Sequence, residues 1–187
     1  MITAARILLM ALAVAACAAA QATERNRQLV LAAEKGDAGE VRRLIAAGAD
    51  VNWQDAKQDS AFLVAGARGH AEVVKLTLAA GANLKSTNRY GGTALIPACH
   101  YGHVETVRVL LAMPIDVDHV NHLGWTALLE AVILGDGGPQ HVEITRLLLE
   151  RRANPNIADR EGASPLSHAK RRGYIQIARL IEAAGGR

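Results

Sequence analysis

Apolar residues recur along the chain at the spacing of a helix. Val104, Val107, Leu110 and Leu111 follow one another at intervals of three, four and seven residues. Positions with this spacing lie on one side of an α-helix. The segment that begins near residue 103 therefore predicts an amphipathic helix whose apolar side faces a neighbouring element.

A second helix is predicted just before this one. Thr93 is a residue type that can cap a helix N-terminus, and the pattern then runs through Leu95 and Cys99 and stops near Gly102. Residues 116–124 are expected to form an exposed connection to the next unit. The segment thus predicts two short antiparallel helices followed by a projecting hairpin.

Glycines mark a period of 33 residues. Gly36, Gly69, Gly102 and Gly135 follow one another at this interval, and the next interval in the series is 38 residues. A second series also combines 33-residue intervals with a single 38-residue interval: Gly48, Gly81, Pro114, Arg152 and Gly185. Both series place one five-residue insertion between Gly135 and Arg152. The matching segments that begin at His103 and His141 narrow it to residues 135–140.

The insertion contains Gly-Asp-Gly-Gly-Pro from Gly135 to Pro139. This composition is typical of a flexible loop. We expect it to project from the end of a helix pair, away from the hairpins. It is interpreted as a tolerated loop, with a second contact site as the alternative.

From about residue 24 to 185 the chain resembles ankyrin-repeat proteins. Segments 46–52 and 79–84 match the family's helix end and the start of its hairpin, and Gly69-His70 and Gly102-His103 match the turn between helices. The 33-residue period is also the ankyrin repeat length. The resemblance implies an all-α repeat fold, an ankyrin solenoid of about five helix-turn-helix units joined by β-hairpin loops. The predicted units are 24–54, 55–87, 88–120, 121–158 and 159–185, all within a repeat domain of residues 23–187.

The family's Thr-Pro-Leu-His motif is altered in this chain. The equivalent segments 60–63, 93–96, 126–129 and 164–167 all lack the histidine. The resemblance implies that the hydrogen bonding which this histidine commonly provides between repeats is replaced by apolar contacts, through Leu63, Ile96 and Leu129.

The outer two units are expected to act as caps. Lys170 and Glu182 stand where inner repeats place small or apolar residues, so the last unit turns a polar side to solvent. End repeats need such a side for solubility.

Composition agrees with a stack of small units. Half of the residues are hydrophobic but only 3% are aromatic, which suits a thin core of Ala, Val and Leu more than one large core. The net charge of +3 is too small for the clustered basic surface that nucleic-acid binding requires. We therefore expect no nucleic-acid partner.

The N-terminus has the pattern of a secretory signal. Arg6 precedes an apolar run from residue 7 to 20, which is shorter than the roughly 20 residues that span a bilayer. Cleavage after Ala22 would remove residues 1–22 and release a periplasmic or secreted protein, the bacterial exported type. The alternative is acylation at Cys17, since Val-Ala-Ala-Cys resembles a lipobox, and it would anchor a lipoprotein in the membrane. Release is favoured because acylation would leave little tether before the first helix.

Removal of the signal would leave Cys99 as the only cysteine. A single thiol cannot form an internal disulfide, so the fold must be stable without one. We expect Cys99 to be a buried thiol at a contact between helices.

The resemblance implies that a protein partner binds the concave face, formed by the hairpin tips and the exposed side of each first helix. Tyr, Trp and Arg are enriched in interface hot spots, and an exposed apolar cluster with a basic rim indicates a partner. The candidate partner-binding residues are Lys57, Arg68, Arg89, Tyr90, His100, Tyr101, His122, Leu123, Trp125, Ile133, Leu134, Arg160, Arg171 and Arg172.

Function is therefore predicted to be non-catalytic protein binding by a monomer without cofactors, as an adaptor, inhibitor or protector. The alternative is a metal-dependent hydrolase, because three histidines could converge on one metal: His100, His119 and His122. Three other histidines follow the turn between helices and are expected to be structural: His70, His103 and His141.

Overall fold

The computed structural model describes the backbone of residues 4–187 and the side chains from Val14 onward. This part of the chain forms ten α-helices and no β-strand. The helices are α1 (Ala4–Lys35), α2 (Ala38–Ala46), α3 (Ala61–Arg68), α4 (Ala71–Ala79), α5 (Leu95–His100), α6 (Val104–Leu111), α7 (Ala127–Ile133), α8 (Pro139–Glu150), α9 (Pro165–Arg171) and α10 (Ile175–Ala183).

The helices stack in two layers. Each odd-numbered helix packs on the even-numbered helix that follows it, and the odd helices also pack in sequence, α1 on α3, α3 on α5, α5 on α7 and α7 on α9. The even helices form the second layer in the same order. The chain is thus an all-helical solenoid, in which each helix pair contacts its neighbours along the stack.

Small side chains are buried at equivalent positions of the odd helices. One alanine in each of α3, α5, α7 and α9 is fully buried at the same place in the repeat: Ala65, Ala98, Ala131 and Ala169. A methyl group lets two helix backbones approach closely, and longer aliphatic side chains such as Leu95 and Leu128 fill the space on either side. Phe62 is the one aromatic residue among the largest fully buried side chains, which confirms the predicted aliphatic core.

Histidine rings link neighbouring units at the start of the even helices. In each link the ring Nε2 donates a hydrogen bond to a backbone carbonyl of the preceding unit: His70 to Glu34 (3.1 Å), His103 to Ala67 (3.2 Å) and His141 to His100 (2.9 Å). The structural expectation for these histidines is confirmed. Sequence reasoning missed that they restore hydrogen bonding between repeats. Leu63, Ile96 and Leu129 are buried as well, so the apolar contacts expected there add to these links.

The connections are not β-hairpins, so that part of the predicted fold is wrong. In each loop one Asp or Asn donates its backbone N–H to the carbonyl four residues on, and its Oδ1 accepts the N–H groups two and four residues on. The carbonyl of the same Asp or Asn accepts the N–H three residues on, so two backbone hydrogen bonds close each loop. Because the side chain takes the other donors, no strand ladder forms. The residues in question are Asp55, Asn88, Asn121 and Asp159.

The insertion does not project freely, contrary to expectation. Gly135 is buried, and its carbonyl accepts a hydrogen bond from Tyr174 Oη at 2.9 Å. Asp136 Oδ1 accepts the Gly138 N–H and contacts His141 Nδ1, both at 2.8 Å. These two groups hold the pKa of Asp136 below its ordinary value. The inserted residues therefore extend α8, which begins at Pro139, at its N-terminus and connect it to the last unit through Tyr174.

The two ends of the solenoid differ. At the C-terminal end Lys170 Nζ and Glu182 Oε1 are exposed and 2.7 Å apart, as expected of a polar cap. At the N-terminal end α1 runs without a break through Cys17, which is exposed, and Ala22. Residues 1–3 and the Arg6 side chain of the predicted signal lie outside the described residues. Within residues 4–187 no helix has both the length and the apolar character that a bilayer crossing requires. Cleavage after Ala22 and acylation of Cys17 stay predictions.

The histidine links can be tested with two glycines of similar conformation. Gly69 and Gly81 have φ of +78° and +87°, and a Cβ at Gly69 would lie 2.6 Å from His103 Cγ, whereas one at Gly81 would have no atom within 4 Å. We expect Gly81→Ala to cost about 1 kcal/mol of unfolding free energy and Gly69→Ala about 2–4 kcal/mol, measured by urea denaturation.

A double variant provides the control for this prediction. In Gly69→Ala/His103→Ala the ring is gone, so its cost should be smaller than the sum of the two single costs. Equal costs for Gly69→Ala and Gly81→Ala would show that the His103 ring does not constrain the stack.

Candidate functional site

The odd helices and the loops enclose a cavity of about 430 Å³ on the concave face. Its walls come from the end of α1, from α3, α5 and α7, and from the loops between them. Half of the predicted partner-binding residues line it: Arg68, Arg89, Tyr90, His100, Tyr101, Leu123 and Leu134. The repeat therefore places these residues, which are far apart in the sequence, around one space.

Apolar side chains stay exposed around this cavity. Tyr90 and Tyr101 are 55% and 59% exposed, and Leu123 and Leu134 are also exposed. The Tyr101 ring stacks on the His100 ring, with 4.1 Å between centroids and 12° between planes. The stacking restrains Tyr101 while leaving most of its surface open to a ligand.

The arginines of the rim are already paired within the chain. Arg68 Nη2 lies 2.7 Å from Glu34 Oε1, and Arg89 Nη1 lies 3.4 Å from Asp59 Oδ2. The Arg89 guanidinium also lies over the Tyr90 ring, 4.7 Å from its centroid. Two members of the expected basic rim, Arg68 and Arg89, are therefore neutralised by Glu34 and Asp59.

Glu130 is a buried carboxylate at the cavity that sequence reasoning missed. It is only 6% exposed, yet it is among the residues that line the cavity. Its Oε1 accepts a hydrogen bond from Asn121 Nδ2 at 2.9 Å, and its Oε2 lies 3.6 Å from His100 Nδ1. The available signal was a single charged residue within the apolar helix α7.

Burial changes the protonation of this pair. Burial raises the pKa of Glu130 to about 7, although the hydrogen bond from Asn121 by itself lowers this pKa. Burial also lowers the pKa of His100, and nearby His141 adds to that shift. Near neutral pH the imidazole is therefore mostly uncharged and does not neutralise the Glu130 carboxylate.

Five of the predicted partner-binding residues lie on the loops or at the end of α9, outside the cavity wall. The His122 N–H donates to the Tyr90 carbonyl at 2.9 Å, and Arg160 Nη2 donates to the His122 carbonyl at 2.6 Å. Arg171 Nη2 lies 2.7 Å from His168 Nδ1. Lys57 and Arg172 are exposed.

Two predicted members of the exposed apolar cluster are more buried than expected. Ile133 is 9% exposed and belongs to the core, so its predicted exposure is wrong. Trp125 is half-buried, and its N–H donates to Asn121 Oδ1. Ile133 is the last residue of α7 and turns inward there, whereas Leu134 beside it is exposed.

The histidines of the alternative hydrolase site are engaged separately. His119 Nε2 donates to the Gly91 carbonyl at 2.7 Å, while His100 faces Glu130 and stacks on Tyr101. Among the residues whose side chains are described, no three His, Cys, Asp or Glu are placed to hold a metal ion. The predicted three-histidine cluster is therefore not formed there.

Cys99 is fully buried in α5, as expected. Burial raises the pKa of its thiol well above the ordinary value, and the Glu130 charge adds to the shift. The protonated thiol acts as a small apolar side chain in the core.

Family models match most of the solenoid. A model of ankyrin repeats in three copies matches residues 29–121, and a model of the single ankyrin repeat matches residues 123–160. The chain is also similar to an ankyrin repeat domain of Acinetobacter baumannii AYE known from a crystal structure, with 54% identity and a TM-score of 0.83. That match covers 85% of this chain and 81% of the other. The protein belongs to the ankyrin-repeat family.

A shorter segment of the chain is similar to part of YahD, a protein of Escherichia coli (strain K12) whose name includes the words ankyrin repeat. The two are 46% identical over 56 residues, which is 30% of this chain. The match spans 28% of the length of YahD. This similarity therefore covers less than the length of two repeats and not a whole protein.

The burial of Glu130 predicts a pH-dependent gain in stability for Glu130→Gln. At and below pH 4.5 the wild-type side chain holds its proton in the folded state, and above about pH 7 it is ionised in both states, at a cost to the fold. The stability that the raised pKa provides at low pH is thus lost as the pH rises through about 7. Between pH 4.5 and pH 8 the variant should gain up to about 3 kcal/mol over wild type, measured by urea denaturation at each pH.

Exposed Glu161 offers the matched control. Glu161→Gln removes the same charge from an exposed position. The unfolding free energy of this variant should therefore differ from that of wild type by an amount that changes little with pH. If the difference in unfolding free energy between Glu130→Gln and wild type were just as independent of pH, Glu130 could not be a buried carboxylate without a neutralising partner.

Proposed function

We propose that the protein is an exported, non-catalytic adaptor or modulator that binds a protein partner on its concave face. Ankyrin repeats form protein–protein interaction modules, and the chain belongs to that family. The observation that carries the finer proposal is the cavity on the concave face, with exposed and partly restrained Tyr90, Tyr101, Leu123 and Leu134 around it.

Physical chemistry favours this face over other surfaces. Large apolar side chains that stay exposed on a folded domain leave apolar area in water, and a partner that covers them gains that area. Tyrosine is a frequent hot-spot residue because it offers much contact area and has few rotatable bonds. The stacking of Tyr101 on His100 restrains this side chain before binding.

Export rests on the N-terminal sequence. A charged residue, an apolar run and the Ala-Gln-Ala segment support removal of residues 1–22. The side chains of 14–24, around the proposed cleavage point, are exposed, so the cleavage would not cut through the buried core. Release to the periplasm or the exterior, as a monomer, is the proposed outcome, and a membrane anchor through Cys17 is the alternative.

The partner-binding face can be tested by site-specific crosslinking. A photoreactive phenylalanine analogue at Tyr101 should yield adducts with a protein partner in cells, whereas the same group at Ile175, which is exposed on α10, should not. The double variant Tyr90→Ala/Tyr101→Ala should abolish capture of that partner while shifting the unfolding free energy by less than about 0.5 kcal/mol, since both side chains are exposed. Equal adducts from Tyr101 and Ile175 would contradict binding on this face.

Export has a direct measurement. Mass spectrometry of the protein isolated from fractionated cells should give a mature N-terminus at Thr23 in the periplasmic or secreted fraction. A lipid-modified N-terminus at Cys17 would establish the alternative. A cytoplasmic protein that retains residues 1–22 would overturn both.

A further inference from the structure

We infer that the cavity on the concave face receives a lysine or arginine side chain of the partner protein, with Glu130 as its counter-ion. The inference rests on the proposed function and names the chemistry of the bound segment. It is drawn from the charges, burial and shape of the residues that surround the cavity.

The charges of the cavity are unbalanced. Three carboxylates line it, from Glu34, Asp59 and Glu130, and two guanidinium groups, from Arg68 and Arg89. Each guanidinium is paired with one of the first two carboxylates. With a neutral His100, the Glu130 carboxylate is left without a cation, although the whole chain has a net charge of +3.

One carboxylate oxygen of Glu130 has no hydrogen-bond partner among the described residues of the chain. The side chain is more than nine-tenths buried, and Oε1 is occupied by the Asn121 amide. Oε2 has only the His100 contact at 3.6 Å, which is too long for a hydrogen bond. Above its raised pKa of about 7, where the group is ionised, a buried carboxylate in this state is costly unless a cation pairs with it, and the open side of this one is the cavity.

The fold itself does not require a carboxylate at this position. In the two preceding units the equivalent position holds Val64 or Pro97, and in the last unit it holds His168, where this unit has Glu130. The same helix packing is therefore built without a carboxylate in these three units. A charge that lowers the stability of the fold and borders a cavity is better explained by a ligand than by folding.

The walls of the cavity fit a long cationic side chain. Leu123 and Leu134 line the cavity with apolar surface for its methylene groups, and the rings of Tyr90 and Tyr101 line it as well. An anionic group would instead meet Glu130, and both arginines that could attract it are already paired. The arrangement thus favours a cation.

The experiment uses a library of displayed random 12-residue peptides, selected on the full repeat protein. Peptides whose binding is lost in Tyr90→Ala/Tyr101→Ala are kept as concave-face binders. Each is then synthesised in two forms, one with its basic residue and one with norleucine in its place. Affinities are measured for wild type, Glu130→Gln and the exposed control Glu161→Gln.

The expected result is a shared basic residue in the concave-face binders. Norleucine and Glu130→Gln should each weaken binding at least about tenfold, and together no more than either alone, because both remove the same ion pair. Glu161→Gln should leave the affinity unchanged. Since the norleucine change does not touch the protein, this arm is independent of how Glu130→Gln folds.

Two other results separate the inference from the proposed function. Concave-face binders without a basic residue that bind Glu130→Gln as well as wild type would overturn the inference and leave the proposed face intact. If Tyr90→Ala/Tyr101→Ala weakened the binding of none of the selected peptides, both the proposed binding face and the inference would be overturned.

Discussion

The close contact between successive odd helices is the interaction on which the rest of the structure depends. One alanine in each of α3, α5, α7 and α9 is fully buried, from Ala65 to Ala169, and a larger side chain there would push its packed neighbours apart. The histidine-to-carbonyl hydrogen bonds of His70, His103 and His141 hold the even helices to the same spacing. Because each contact is repeated and local, the stack is stable without a large aromatic core or a disulfide among its described cysteines.

Several side chains on the concave side are not needed to fill the core. Tyr90, Tyr101, Leu123 and Leu134 stay exposed there, so this side can carry aromatic and apolar surface. Glu130 is the clearest case: it is held by Asn121, it faces a neutral imidazole, and it makes the fold less stable when ionised. Tyr101 is the complementary case, since stacking on His100 restrains it without burying it. The proposed binding face and the packed core thus lie on different sides of the odd helices.

Much of the fold could be predicted because the chain repeats itself. The spacing of the glycines located the helix pairs, the insertion and the histidines at the start of the even helices. The local chemistry of the loops was less predictable, since Asp55 and its equivalents take donors that a hairpin ladder would use. The course of the insertion depended on Tyr174, a residue nearly forty positions away, which hydrogen-bonds to the Gly135 carbonyl. No local pattern contains that contact.

For the candidate site, the sequence by itself determined which helix faces are repeated and which residues of Tyr, Leu and Arg fall on them. Only the tertiary structure decided which of these share one cavity, that Ile133 turns into the core, and that Arg68 and Arg89 are already paired. It also revealed Glu130, whose environment is set by His100 and Asn121 from other parts of the chain. The physical reason is that periodicity is a property of consecutive residues, whereas burial and charge balance are set by neighbours that the stack brings together.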